Sequence, residues 1–148
     1  MTFVEFNTEV EKYKTENAIL FQLDSDCIVG EDDINSCEKH YGIELPESYK
    51  QLLKKYGGGY FGYAVFYSLD KEGSFCLYDF ISDDEIKEYN MLPVIDLETG
   101  DYIGFNIENN KCTEDMYLWM HEEKKRKRIM EDFFEVLIDV GIKNKPIN

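Results

Sequence analysis

The chain of 148 residues lacks most of what chemistry at a buried site needs. It has only two histidines, His40 and His121, and local sequence sets no serine or cysteine beside either. Its four cysteines, Cys27, Cys37, Cys76 and Cys112, form no C-x-x-C pair and no metal-finger spacing, so they read as small, semi-buried thiols of a reducing compartment. No apolar run approaches ~20 residues, which leaves nothing to span a bilayer as a helix. The first residues, "MTFVEFNTEVEKYK", carry acids and no apolar h-region, unlike a secretory signal. Cationic side chains are scarce as well: 16 against 31 acids, for a net charge of −15. Cytoplasmic location, no membrane and no nucleic-acid partner are the expectations that follow, since a field of that sign repels phosphate.

What is present is a core. Aromatics are abundant, with 11 Tyr, 10 Phe and 1 Trp, so the chain can fold despite its charge. The length suits one domain over 1–148. The charge is uneven: residues 1–123 hold 27 acids and 9 Lys/Arg, whereas 124–148 hold 4 acids and 7 Lys/Arg. An acidic body attracts basic partners and steers their encounter; the same charge also serves solubility alone.

Periodicity divides the chain. Phe3, Phe6, Val10 and Tyr13 mark a first amphipathic helix, and residues 17–26 a strand or extended loop. Residues 30–42 predict a second helix with acids in its first turn and Gly42 as its stop. In "LPESYKQLLKKYGGG", Pro46 suits a helix start, and Tyr49, Leu52, Leu53 and Tyr56 form one stripe before Gly57 ends it. Residues 60–70 and 74–81 predict two strands. Ser82 and Glu85 form a capping box for a short helix. "LPVIDL" and "YIGFNI" predict a hairpin, residues 115–121 the last strand, and Glu122–Gly141 a closing helix. The order predicts α+β with a mainly antiparallel sheet, N-terminal helices and a C-terminal helix packed on it.

Several chemical motifs fail on inspection. Gly57-Gly58-Gly59 follow a helix and precede a strand, the reverse of a phosphate loop, and no Lys-Ser or Lys-Thr follows. "DSDCIVGEDDIN" puts Val29 and Asn35 where a calcium loop needs Gly and Glu. His121-Glu122-Glu123 matches H-x-E without the P-C-x-x-C of a zinc deaminase. The basic run "KKRKR" (124–128) reads as the wet start of the closing helix. No catalytic residue, metal ligand or cofactor site emerges.

These stretches together resemble the SUKH superfamily, the Smi/Knr type. The resemblance rests on Ile34 to Glu38, "GIELPESYKQLLKKYGGG" (42–59), "LPVIDLETGDYIGFNI", "MYLWMHE" and "IMEDFFEVL" (129–137). Many members carry an asparagine before two glycines, whereas Tyr56 precedes three here. The resemblance implies a non-enzymatic α+β domain, and bacterial members commonly neutralise a toxin domain, often a nuclease, by occlusion. The expected partner is therefore a cognate, basic toxin domain bound by a monomer or weak dimer. A regulatory or scaffold module with a non-toxin partner is the competing expectation, and an enzyme with a non-local site the third. The expected contact face is residues 68–90, where Asp70, Glu72, Asp79, Asp83 and Asp84 interleave with Tyr67, Phe75, Tyr78 and Phe80. Leu45, Pro46, Gly57, Gly58, Trp119, Tyr49, Leu52, Leu53 and Phe133 are expected to be structural.

Overall fold

The structure, a computed structural model, describes residues 1–147. Helix α1 (Phe3–Glu16) starts with a reciprocal cap: Thr2 Oγ accepts from Glu5 N–H, and Thr2 N–H donates to Glu5. A 3₁₀ turn (Ala18–Phe21) leads to the short strand β1 (Ser25–Asp26). Helices α2 (Glu31–Tyr41) and α3 (Glu47–Tyr56) follow, then strands β2 (Gly58–Phe61) and β3 (Ala64–Phe66). The 67–90 connection holds α4 (Leu77–Phe80) and α5 (Asp83–Tyr89). Strands β4 (Met91–Asp96), β5 (Tyr102–Glu108), β6 (Lys111–Met120) and β7 (Lys125–Ile129) complete the sheet, and α6 (Phe133–Leu137) runs into a π turn (Ile138–Ile142). All seven strands lie in chain order and every neighbouring pair is antiparallel. The α+β class with a mainly antiparallel sheet is thus as the sequence suggests.

The core forms where helical stripes meet one side of the sheet. Phe6 of α1 stacks on Phe134 and Phe61, and Phe133 of α6 lies 4.9 Å from Phe105 of β5. Tyr49, Leu52 and Leu53 of α3 are fully buried, and the Tyr49 hydroxyl donates to the Tyr67 carbonyl, so its polar tip is satisfied. Register rows follow from the pairing: Leu92, Phe105, Met116 and Ile129 share this side. A bulge between Pro93 and Ile95 lets Leu92 and Ile95 point the same way although three residues apart.

Gly57 and Gly58 explain the glycine run. Gly57 takes φ +80, and a Cβ there would stand 2.4 Å from the Asp26 carbonyl oxygen. A Cβ on Gly58 would stand 2.5 Å from that of Ser68. The run therefore ends α3 and lets β2 pass tightly between β1 and β3.

Three expectations need correction. The segment 122–141 is not one helix. Residues 121–124 turn, with Lys124 at φ 51, and the basic run becomes edge strand β7; only Phe133 onward is helical, capped by Asp132. The long strand β6 recruits that run as its partner, and Arg126 stacks 4.1 Å from the Tyr117 ring centre, a tertiary gain that overrides local helix preference. Residues 74–81 are not a strand: the Asp26 carboxylate takes the Ser74 and Phe75 N–H groups, and the chain coils into α4. Residues 60–70 are not one strand but two, broken at Gly62-Tyr63.

Candidate functional site

Two aspartates shape the surface on which the predicted contact residues stand. Asp26 of β1 accepts from Ser68 Oγ (2.6 Å), Ser74 N–H (3.0 Å) and Phe75 N–H (2.9 Å), pinning the loop before α4. Asp70 reaches back to Cys27 N–H (3.0 Å) and also accepts from Glu72 N–H (3.1 Å). Those backbone donors, Cys27 first, hold the Asp70 carboxyl below the usual carboxylate range. The half-buried Asp70 is therefore occupied within the chain, while Glu72, Asp79, Asp83 and Asp84 are exposed.

Three shallow grooves share walls and so join these acids into one band. Glu72 and Asp70 line the first with Asp33, Cys27 and Lys71. Lys71 also borders the second, with Asp79, Lys39 and His40. Lys39 and His40 continue into the third, which Asp83 and Lys87 border. Asp84 neighbours Asp83 in the first turn of α5, which opens with the predicted Ser82–Glu85 capping box. The band is acidic with lysines interspersed, rather than a continuous carboxylate patch.

The aromatic residues of this segment divide. Tyr67 is buried and donates to Asp96 (2.9 Å), while Phe80 is exposed and stacks 5.0 Å away on Tyr67. Tyr78 is half-buried between α2 and α4, stacked on Tyr41 at 5.7 Å. Because α4 replaces the expected strand, alternation does not decide which rings face inward.

Leu45 and Pro46 are buried just ahead of α3. Pro46 offers that helix no side-chain cap; Glu114 of β6 supplies one, accepting from Ser48 N–H (3.2 Å) and Ser48 Oγ (2.5 Å). Trp119 is buried in a small cluster on the other side of the sheet, 4.4 Å from the Tyr89 ring. The cap of Glu114 across 66 residues has no sequence signal. Nor do the clasps of Asp26, which join residues 42 to 49 positions apart.

Three of the four thiols are buried, whereas Cys27, expected to be semi-buried, is exposed just after β1. Burial pushes the Cys37 and Cys112 thiols up to about 12, and burial raises Cys76 as well, so none of these three presents a thiolate near neutral pH. Among the described residues no group of three His, Cys, Asp or Glu side chains converges as metal ligands. No helix among them is long and apolar enough to cross a membrane.

A family model described as SUKH_6, SMI1-KNR4 cell-wall, matches residues 31–137. That span runs from the start of α2 to the end of α6 and includes the whole groove band. No curated protein matches the chain.

Proposed function

Because the chain belongs to the SMI1-KNR4 (SUKH) family, we propose that it is a cytoplasmic immunity protein that neutralises a cognate toxin domain. The partner in this reading is a basic, nuclease-type domain, and the mechanism is occlusion of its active site without chemistry by the immunity protein. The single observation that carries the reading is the band of exposed carboxylates, Glu72, Asp79 and Asp83, joined by shared groove walls, with Asp84 beside Asp83 in the first turn of α5. Carboxylates at a rim steer a cationic partner and orient it, while an exposed ring such as Phe80 supplies area that becomes buried. Asp70 is a positioning residue here, since it fixes the loop that presents Glu72.

The experiment is co-expression with the toxin encoded beside the gene. Charge reversal of Asp79, Asp83 and Asp84 together abolishes protection while circular dichroism stays that of the folded protein. Full protection by the triple variant removes this band as the contact face.

A second reading, a regulatory or scaffold module with a non-toxin partner, draws on a different observation. Ile19, Leu23 and Ile28 are exposed in the 17–28 segment, with Tyr60 and Tyr63 exposed on the β2–β3 hairpin. Exposed apolar residues of this kind suit a partner recognised by burial rather than by charge. Loss of partner capture by Ile19→Asp and Tyr63→Asp, with no protection from the toxin by the parent chain, would favour it.

A further inference from the structure

The groove between the C-terminal half of α2 and the 71–79 segment combines features that the partner reading does not use. Its volume is ≈ 520 Å³, within the range of small-molecule sites. Its aromatic wall is the ring of Tyr78, backed by Tyr41 in a near-parallel stack (10°) and met edge-on by His40 at 4.8 Å. Such a packed ring offers a fixed stacking face, and the buried Cys76 adds apolar wall beside it. The Lys71 ammonium lies 5.9 Å from the Tyr78 ring centre, and Lys39 stands on the helix side. Among the described residues neither lysine has a carboxylate within ion-pair distance, although the chain carries a charge of −15. Among the described residues Asp79 is the one acid on the wall, so the local balance runs against that of the body.

We infer that this groove is a binding site for a small aromatic carboxylate. The ring of the ligand stacks against Tyr78, and its carboxylate lies between Lys39 and Lys71. Two ammonium groups without an ion-pair partner among the described residues attract an anion that the acidic surface around the groove repels. Stacking then selects an aromatic stem over an aliphatic one. The inference does not depend on the toxin reading, because it uses the cations of the band and not its carboxylates.

The test is a titration of the full chain with phenylacetate, followed by backbone amide NMR, with phenethylamine and acetate as counter-probes. Phenylacetate is expected to give saturable shifts confined to residues 36–40 and 71–79. Phenethylamine and acetate are expected to bind at least about tenfold more weakly, the scale of one charge pair or one ring contact. The double variant Lys39→Ala/Lys71→Ala is expected to lose about tenfold in affinity with the rest of its spectrum unchanged, and Asp79→Asn to gain severalfold. No saturable shift at tens of millimolar, shifts that map elsewhere, equal binding of the amine, or equal binding by the double variant would each overturn the assignment.

Discussion

The two sides of the sheet are built from the same strands and do different work. On one side the rows Leu92–Phe105–Met116–Ile129 and Ile95–Ile103–Leu118 are closed over by α1, α3 and α6. On the other, the row Asp96–Tyr102–Trp119–Arg126 meets Tyr89 of α5 and otherwise carries its own polar partners. Arg126 donates to the Asn90 carbonyl (2.8 Å) and to Asn106 Oδ1 (2.7 Å) while stacking on Tyr117. A step of one residue along a strand therefore moves from hydrophobic closure to a satisfied polar-aromatic array. Strand alternation thus separates a closed hydrophobic side from a polar-aromatic one.

The closed side sets the largest expected effects. Leu52→Ala and Phe133→Ala each remove a fully buried side chain and should cost ~2–5 kcal/mol in denaturant unfolding. A loss below ~1 kcal/mol for either would mean that the helices do not close that side as described. The open side should give less. Arg126→Met removes a stack and leaves the buried Asn106 oxygen without its donor, for an expected loss of ~1–2 kcal/mol. Its neighbour Lys127, exposed on the opposite side of β7, should tolerate the same change within ~0.5 kcal/mol. Equal losses at 126 and 127 would mean that the stack and hydrogen bonds of Arg126 contribute nothing at this edge strand.

Much of this was legible in sequence, and the illegible parts share a cause. The stripe of α3, the stop at Gly57, the capping box at Ser82 and the β4–β5 hairpin are local signals, and the structure contains each. The helical period seen in residues 129–140 is real from Phe133 onward, but it also swept in "KKRKR", whose strand state depends on β6. A helical reading of β7 hides the two sides of the last strands, because only the β6–β7 pairing defines them. In the candidate site the acids were visible as composition, yet what sorts them is not. Asp70 is engaged by a backbone N–H 43 residues away, whereas Asp79 and Asp83 become neighbours of Lys39 and His40 only through grooves. The loop at 74–75 coils because a carboxylate from β1 takes its donors, a contact that no window of residues contains.

The smallest effect expected lies where the polar-aromatic row ends, in the turn between β6 and β7. Asp101 Oδ1 accepts from His121 N–H at 3.0 Å and lies 2.5 Å from His121 Nδ1. The hydrogen bond to Asp101 raises the His121 pKa above its usual value, and although burial opposes it, bonding to His121 holds Asp101 below its own. A raised imidazole pKa contributes stability that is full below ~6.5, the unfolded value, and fades as pH rises through the folded value. A lowered carboxyl pKa contributes stability that is full above ~4 and fades as pH falls through the folded value. The pair therefore acts over the window between the two, and its exposure to solvent keeps the effect small. In an NMR titration His121 should titrate above ~6.5 in the parent and return to about that value in Asp101→Asn. Melting curves of parent and variant should differ most between pH ~4 and ~6.5 and converge as the imidazole loses its proton. An ordinary His121 titration in the parent would show that the pair is not held, and that the ordered row stops at Trp119 rather than running into the turn.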